Sequence, residues 1–231
     1  MSAAWIMSPE PGLADELFPP AVRTVCRPID DRGDDLLPEE LALVARAVPK
    51  RRREFATGRR AARELLASLG LPGGALLRNE DRTPVWPAGV VGSISHCDGL
   101  CVVAVARASD VGGIGVDVEP DLPLGPDLWP RICTATELAT LVGPAPQDER
   151  GRVARLVFSA KEAFYKSVFP SLREVLGFHQ VELQVDWRAS RFEGRMDAAL
   201  TDRLPGGRAP TGRFARRGGF VLTGATLSAL R

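Results

Sequence analysis

The chain has 231 residues, long enough to bury a core as one large domain or as two small halves. Its 30 basic and 29 acidic residues leave a formal net charge of +1, which argues against a nucleic-acid binder, and no apolar run approaches the ~20 residues of a membrane span. The four cysteines lack paired metal-site spacing, so we expect reduced thiols in a soluble, cytoplasmic and monomeric protein. A zinc site formed by His96, Cys97 and Cys101 is the alternative.

The first third of the chain predicts a strand followed by two helices. Residues 1–37 are rich in Pro, Asp and Gly and contain one strand-like segment at 21–26. Pro38 suits a first helical turn, and the two acids after it suit the positive end of the helix dipole, so a helix is predicted from Pro38 until Pro49. A second helix is predicted over residues 50–69, with Gly70 as its stop.

The second helix carries arginines on its apolar side. Its predicted apolar stripe consists of Phe55, Ala62, Leu66 and Leu69. At 100° per residue, Arg51 and Arg59 fall within about 40° of Phe55, whereas Arg53 and Arg60 point to solvent. Arginines on a core-facing stripe need an anion. They either reach solvent, pair with acids of the chain itself, or bind a phosphate, for which the guanidinium is well shaped.

Polar residues cluster at the end of a strand in the middle of the chain. A short strand is predicted over residues 75–78, a turn over 81–84, an extended run over 90–96 and a strand over 100–106. Ser93, Ser95 and His96 stand where the extended run ends. Loops at strand ends often carry functional residues, although a single histidine there is also compatible with a structural role.

Two carboxylates lie on one face of the strand predicted over residues 114–119. Because side chains alternate along a strand, Asp117 and Glu119 share one face, while Val116 and Val118 share the opposite, buried one. Neighbouring carboxylates repel each other unless a cation lies between them, and Mg²⁺ prefers one or two protein carboxylates together with substrate phosphates. The alternative is a solvated strand edge.

The C-terminal part repeats the order of helix and then strands. Helices are predicted over residues 136–141 and around 158–166, with a loop at 143–151 and antiparallel strands over 180–186, 194–200 and 219–227. Two runs of this kind indicate two similar halves, although their sequences do not align well enough to demonstrate a duplication.

The helix around residues 158–166 contains two of the three lysines of the chain, Lys161 and Lys166. Ser159 and Glu162 have the spacing of a capping box, and Glu162 and Lys166 that of a surface ion pair, so a purely local interpretation exists. The predicted apolar stripe is Phe158, Tyr165 and Phe169, with Glu162 at its edge. In a chain so rich in arginine, these lysines indicate positions that need a compact charge.

Together these features indicate a divalent ion with a pyrophosphate ligand, and further positively charged side chains that bind another phosphate. The segments Gly115-Val116-Asp117-Val118-Glu119 and Phe158-Ser159-Ala160-Lys161-Glu162-Ala163-Phe164-Tyr165-Lys166 resemble the paired signature of the 4′-phosphopantetheinyl transferases. Further motifs resemble the surfactin- and enterobactin-type branch: Trp86-Pro87-Ala88-Gly89, Gly92-Ser93-Ile94-Ser95-His96 and the helix with Arg51 and Arg59. The resemblance covers residues 48–178.

This resemblance implies an α+β fold of two similar α/β halves in a pseudo-twofold arrangement, residues 1–109 and 110–231. It implies transfer of the phosphopantetheine group of coenzyme A to a serine of an acyl or peptidyl carrier protein, with release of adenosine 3′,5′-bisphosphate. It also implies that Asp117, Glu119 and Glu162 bind Mg²⁺, or Mn²⁺ as the alternative. The residues implied to contact coenzyme A are Arg51, Arg59, Arg78, Arg82, Thr83, Ser95, His96, Lys161 and Lys166.

The implied catalytic residues are Asp117, Glu162 and Lys166. Lys166 would contact the transferred phosphate with Lys161 close by, and His96 and Ser95 would hold chiefly the 3′-phosphate. Glu162 or a metal-bound water would be the general base. The alternative functions are another Mg²⁺-dependent nucleotide phosphotransferase, which lacks support from a P-loop motif, and an arginine-rich nucleic-acid-binding protein.

Overall fold

The computed structural model describes residues 12–30 and 35–229, so residues 1–11 and 31–34 of the N-terminal segment at 1–37 lie outside it. The strands in the described part are β1 (Arg23–Pro28), β2 (Val90–Cys97), β3 (Leu100–Arg107), β4 (Val111–Pro120), β5 (Glu182–Asp186), β6 (Arg191–Arg195), β7 (Thr211–Arg217) and β8 (Phe220–Ser228). The α-helices there are α1 (Pro38–Leu43), α2 (Pro49–Ser68), α3 (Trp129–Ile132), α4 (Ala135–Glu137), α5 (Arg150–Leu172) and α6 (Ala198–Thr201). A π-helical turn over Leu138–Val142 continues α4.

The strands form two antiparallel sheets that meet at their edges. The order in the first sheet is β1-β3-β2, and in the second it is β4-β8-β7-β6-β5. β2 and β4 are edge strands and lie next to each other, and the backbone N–H of Val116 donates to Ser93 Oγ at 3.1 Å. The junction therefore places the polar end of β2 beside the carboxylates of β4.

The two long helices each pack on one sheet. α2 lies against β3, and α5 lies against β4 and β8. Glycine permits the close approach of α5, because a Cβ atom at Gly115 would lie 1.7 Å from the carbonyl oxygen of Ala163. The side chains of α5 therefore reach β4 over a short distance.

The strands and helices that carry the site agree with the sequence-based expectations, and others do not. The predicted helix at 50–69 and the strands at 90–96, 100–106 and 114–119 are confirmed. At 75–78 the structure has only an isolated bridge between Arg78 and Pro84. The strand predicted at 194–200 ends at Arg195, because Asp197 caps α6 by accepting a hydrogen bond from the backbone of Ala199 at 2.8 Å. β7 was not predicted.

The apolar stripe predicted for α5 is wrong. The buried residues of this helix include Val153, Val157, Phe164 and Val168, and they pack into the core of the second sheet. Phe158, Tyr165 and Phe169 are only half-buried. The helix begins eight residues before the predicted stretch, so most of its buried face lay outside the residues from which the stripe was chosen.

The mixed α/β architecture with two sheets agrees with the expected fold class. The sheets have three and five strands, and the pseudo-twofold relation between two halves stays a prediction. The division between residues 109 and 110 falls in the turn between β3 and β4 and likewise stays a prediction. No helix in the described part of the chain is both long and apolar enough to cross a membrane.

Candidate functional site

Asp117 of β4 is the centre of a buried polar group at the junction of the sheets. The residue is 3 % exposed. Its Oδ1 accepts hydrogen bonds from Ser95 Oγ at 2.8 Å and from Lys166 Nζ at 2.7 Å. Its Oδ2 accepts one from Ser159 Oγ at 2.8 Å. Three elements, β2, β4 and α5, thus hold this carboxylate in one orientation.

Helical geometry explains which residues of α5 reach β4. At 100° per residue, Arg155, Ser159, Glu162 and Lys166 lie within about 60° of one another. Because α5 begins at Arg150, Ser159 lies inside the helix and caps nothing, so the capping-box interpretation is wrong. The ion pair of Lys166 joins it to Asp117 rather than to Glu162, so the surface-pair interpretation is also wrong.

Glu119, two residues after Asp117, is paired with an arginine that the sequence analysis missed. Arg155 Nη1 lies 2.9 Å from Glu119 Oε2, and Arg155 Nε donates to the carbonyl oxygen of Leu122 at 3.2 Å. Burial raises the pKa of Glu119, Asp117 adds to the shift, and Arg155 opposes it. The sequence feature that could have identified Arg155 is its position one helical turn before Ser159, on the same face of α5.

Glu162 is the third acid of this group. Burial raises the pKa of Glu162 above its ordinary value, Lys166 opposes the shift and Asp117 adds to it. The carboxylate is therefore close enough to Asp117 for the two charges to repel each other.

The raised pKa of Glu162 predicts the effect of Glu162→Gln on stability. A carboxyl group with a higher pKa in the folded than in the unfolded chain makes the protein less stable as pH rises between those two values. We therefore expect the metal-free Glu162→Gln variant to melt at a higher temperature than the wild type at pH 8. The difference should vanish below the unfolded-chain pKa of about 4.3. Thermal melts in chelator across this pH range check the expectation, with the exposed Glu80→Gln as control; an equal or lower melting temperature at pH 8 would contradict it.

The donor set of this group fits a divalent cation bound together with substrate. In the described residues, no three His, Cys, Asp or Glu side chains are arranged as a ready-made metal cage. Mg²⁺ rarely uses such cages, because it keeps waters and binds through one or two carboxylates and substrate phosphates. The carboxylates of Glu119 and Glu162 are each repelled by Asp117, which a cation would relieve. Here Lys166 and Arg155 supply the compensating charge.

Lys161 does not belong to this group, which corrects the predicted position beside the transferred phosphate. Its Nζ lies 2.7 Å from Glu137 Oε2 and donates to the carbonyl oxygens of Ile132 and Phe178 at 2.9 and 2.7 Å. The side chain is 2 % exposed, and burial lowers the pKa of Lys161 while Glu137 opposes the shift. Lys161 is about 200° around the helix from Ser159, so it faces away from β4.

A basic cavity of about 120 Å³ lies between α2 and the end of β2. Its charged and ionisable lining residues are Arg51, Glu54, Arg59, Arg78, Arg82 and His96. Arg59 is 5 % exposed, lies 4.2 Å above the ring of Phe55, and has no hydrogen-bond partner for its Nε among the described residues. Burial lowers the pKa of Arg59 to about 10. A buried guanidinium with an unpartnered Nε in the wall of a cavity fits an anion.

The other arginines of α2 differ in their surroundings. Arg51 is about half exposed and lies 3.3 Å from Glu54 Oε2, so it partly satisfies the expectation of pairing within the chain. Arg60 does not point to solvent as predicted, because its side chain is 16 % exposed and pairs with Asp30 and Asp35 at 3.0 and 2.9 Å. The paired acids lie on a distant loop that helix periodicity does not reveal.

A larger cavity of about 540 Å³ adjoins the basic one. Both are lined by Arg82 and Pro84 of the turn before β2. Thr83 also lines the larger cavity, and Asp81 Oδ1 accepts a hydrogen bond from its backbone N–H at 2.9 Å, while Arg82 adopts a φ of 69°. Lys166 lines the same cavity, so the opening runs from the turn to the centre of the polar group.

The structure thus places the predicted site residues in two adjoining groups. Asp117, Glu119, Glu162, Lys166 and Ser95 surround the junction of β2, β4 and α5. The arginines and His96 line the basic cavity, and Arg78 also donates to the carbonyl oxygen of Leu43 at 3.3 Å. Ser159, Arg155 and Glu54 were missed as site residues.

Comparisons with known proteins agree on one family. Residues 39–106 match the 4′-phosphopantetheinyl transferase N-terminal domain, and residues 113–202 match the 4′-phosphopantetheinyl transferase superfamily. The 4′-phosphopantetheinyl transferase Svp of Streptomyces mobaraensis is 42% identical over 203 residues, which cover 87% of this chain and 82% of the relative. PptT of Mycobacterium tuberculosis is 35% identical, covering 86% and 88%. Enterobactin synthase component D of Escherichia coli O157:H7 is 35% identical over 126 residues, covering 51% and 55%.

Proposed function

Because the chain belongs to the 4′-phosphopantetheinyl transferase family, we propose that it transfers the 4′-phosphopantetheine group of coenzyme A to a serine of an acyl or peptidyl carrier protein. The other product is adenosine 3′,5′-bisphosphate. The observation that carries the residue assignment is the buried Asp117 with Lys166 on one oxygen, beside a basic cavity. A carboxylate, an ammonium group and an anion site at one junction suit transfer from a pyrophosphate.

The residues of the junction have separate roles in the transfer. The carrier serine forms a bond to phosphorus, the bond from phosphorus to the pyrophosphate bridging oxygen breaks, and the bisphosphate leaves with the electron pair. Glu162, which lies on the same face of α5 as Lys166, accepts the serine proton directly or through water. Lys166, at 26 % side-chain exposure, can turn from Asp117 to the transferred phosphate.

Asp117, Glu119 and Glu162 are the residues that would hold Mg²⁺, with Mn²⁺ as the alternative. A bound divalent cation supplies charge neutralisation on the pyrophosphate oxygens. Ser95 and Ser159 hold the Asp117 carboxylate in a fixed orientation by donating one hydrogen bond to each of its oxygens. Lys166 and Arg155 pair with Asp117 and Glu119 and so supply positive charge beside two of these carboxylates.

The basic cavity would hold the phosphates at the nucleotide end of coenzyme A. Arg51, Arg59 and His96 supply donors, and the unpartnered Nε of Arg59 is the donor that most needs an acceptor. Ser95, next to His96 on β2, donates its hydroxyl proton to Asp117 and so links this end of the cavity to the polar group at the junction. The turn with Arg82 and Thr83 lies along the opening and would contact the adenine.

The alternative functions have less support. Arginines of α2 that a nucleic-acid binder would need are paired within the chain, since Arg60 pairs with Asp30 and Asp35 and Arg63 with Glu40. Another nucleotide phosphotransferase would use the carboxylates but would not require a carrier protein. A cytoplasmic location and a monomeric state remain part of this proposal.

Incubation with coenzyme A, Mg²⁺ and an apo carrier protein tests the proposed function. We expect the intact mass of the carrier to increase by one phosphopantetheine group, and excess chelator to stop the increase. A carrier with its acceptor serine replaced by Ala is the control and should keep its mass. An unchanged mass for every apo carrier class, from fatty-acid, polyketide and peptide synthesis, would contradict the function; transfer undiminished in chelator would contradict only the cation.

A further inference from the structure

Glu54 is a buried acid in the wall of the basic cavity, and the proposed reaction gives it no role. The residue is 9 % exposed and lies on α2 between Arg51 and Arg59. It lines both the basic cavity and an open cavity of about 330 Å³ on the side of Glu119 and Arg155. A carboxylate in this position repels an incoming phosphate unless a neighbouring positive group compensates its charge.

The neighbours of Glu54 are the two residues at the open end of the basic cavity. Arg51 Nη1 contacts both Glu54 Oε2, at 3.3 Å, and His96 Nε2. Arginine only donates, so Nε2 of His96 is an acceptor and Nδ1 carries the proton. The Nδ1 atom lies 3.6 Å from Glu54 Oε2, within ion-pair distance for a protonated ring. One carboxylate oxygen therefore faces both the guanidinium and the imidazole.

We propose that Glu54 is a positioning residue that orients His96 and Arg51 towards the 3′-phosphate of coenzyme A. The inference rests on the proposed function, in which these two residues bind that phosphate. When the phosphate takes the place of Nε2 as the acceptor for Arg51, His96 must donate from Nε2 and therefore carries a proton on both ring nitrogens. The carboxylate of Glu54 then faces the protonated Nδ1 and balances the charge of the ring.

The other charges around His96 make this balance necessary. Arg51 of α2 and Lys166 of α5 disfavour a positive ring, whereas Glu54 of α2 and Asp117 of β4 favour it. Burial also lowers the pKa of His96 and is the largest cause. Asp117 already accepts hydrogen bonds from Lys166, Ser95 and Ser159, which leaves Glu54 as the acid next to the ring.

The test compares coenzyme A with 3′-dephospho-coenzyme A, which lacks only the phosphate in question. Carrier modification is measured with both substrates for the wild type, Glu54→Gln, and the control Glu64→Gln, an exposed acid on the same helix paired with Arg27. The wild type should prefer coenzyme A. In Glu54→Gln we expect KM for coenzyme A to rise and the preference to fall by about tenfold, while kcat and the reaction of the dephospho substrate change less than about twofold. Glu64→Gln should behave as the wild type.

Each outcome separates the role of Glu54 from the proposed function. If the wild type prefers coenzyme A and the Glu54→Gln variant keeps the full preference, only the role of Glu54 is overturned. A wild type that modifies the carrier without preferring coenzyme A would overturn the 3′-phosphate assignment and this role with it. If Glu54→Gln does not fold, Glu54→Asp takes its place, and an unchanged preference again overturns the role. In a His96→Ala background, Glu54→Gln should cause a smaller further loss of preference than in the wild type, and an equal loss would exclude action through His96.

Discussion

Replacing Asp117 by Asn is expected to lower kcat by at least about a hundredfold, the scale seen when one preorganised electrostatic group is removed from an active site. Asn has the same shape as Asp, but one end of its side chain is a carbonyl oxygen that accepts hydrogen bonds and the other is an NH₂ group that donates them. Its amide NH₂ would face either Lys166 Nζ or Ser159 Oγ, both of which donate to the carboxylate oxygens. The variant also loses a unit of negative charge at the centre of the proposed cation site.

Steady-state kinetics with coenzyme A and an apo carrier measures this effect, and circular dichroism shows whether the variant folds. Asp202→Asn is the matched control, because Asp202 is exposed at the end of α6 and far in sequence from the site. It should keep wild-type kcat. A folded Asp117→Asn variant with kcat within a few-fold of the wild type would show that the buried carboxylate is only structural.

The replacement of Lys161 by Met is expected to have the largest effect on stability. Removing one partner of a buried ion pair leaves the other charge uncompensated and typically lowers the free energy of unfolding by about 3–5 kcal/mol. For a chain of this size the melting temperature would fall by roughly 10 °C. The uncompensated charge would be that of Glu137, which is fully buried. Its carboxylate would still accept hydrogen bonds from the backbone N–H groups of Thr134 and Leu183, both at 2.7 Å.

Two further variants identify the cause of the loss. Lys161→Met combined with Glu137→Gln removes both charges and should melt at a higher temperature than Lys161→Met alone. Lys50→Met is the control, because Lys50 is largely exposed and its pair with Asp98 lies at the surface, so its melting temperature should stay at the wild-type value. An unchanged melting temperature for Lys161→Met with a weakened affinity for coenzyme A would instead make Lys161 a phosphate ligand.

Local periodicity was sufficient to predict a site residue where the direction of its side chain depends only on its own strand or helix. Alternation along β4 predicted that Asp117 and Glu119 share a face, and the 3.6-residue repeat predicted that Arg59 lies on the apolar side of α2. The same repeat, applied to the whole of α5, separates Lys161 from Lys166. The two lysines were grouped because they are close in sequence, although five residues along a helix correspond to about 140° of rotation.

Pairings between distant segments could not be predicted from one sequence. The partners of Arg60 lie 25 and 30 residues before it, and Arg155 is 36 residues from Glu119. Such pairs depend on how β4, α5 and the loop before α1 pack, and no local pattern encodes that arrangement. The junction of the two sheet edges has the same origin, since it is formed by Ser93 and Val116 from different sheets.

Counting the divalent ions bound to the chain is the most direct test of a cation shared by β4 and α5. Mn²⁺ is titrated into the protein with coenzyme A present, and the free ion is measured by electron paramagnetic resonance for the wild type and for Asp117→Asn. We expect one ion per chain in the wild type, and we expect this binding to be lost in the variant. Equal binding of one ion by both proteins, or no binding by the wild type, would contradict a cation held by Asp117, Glu119 and Glu162.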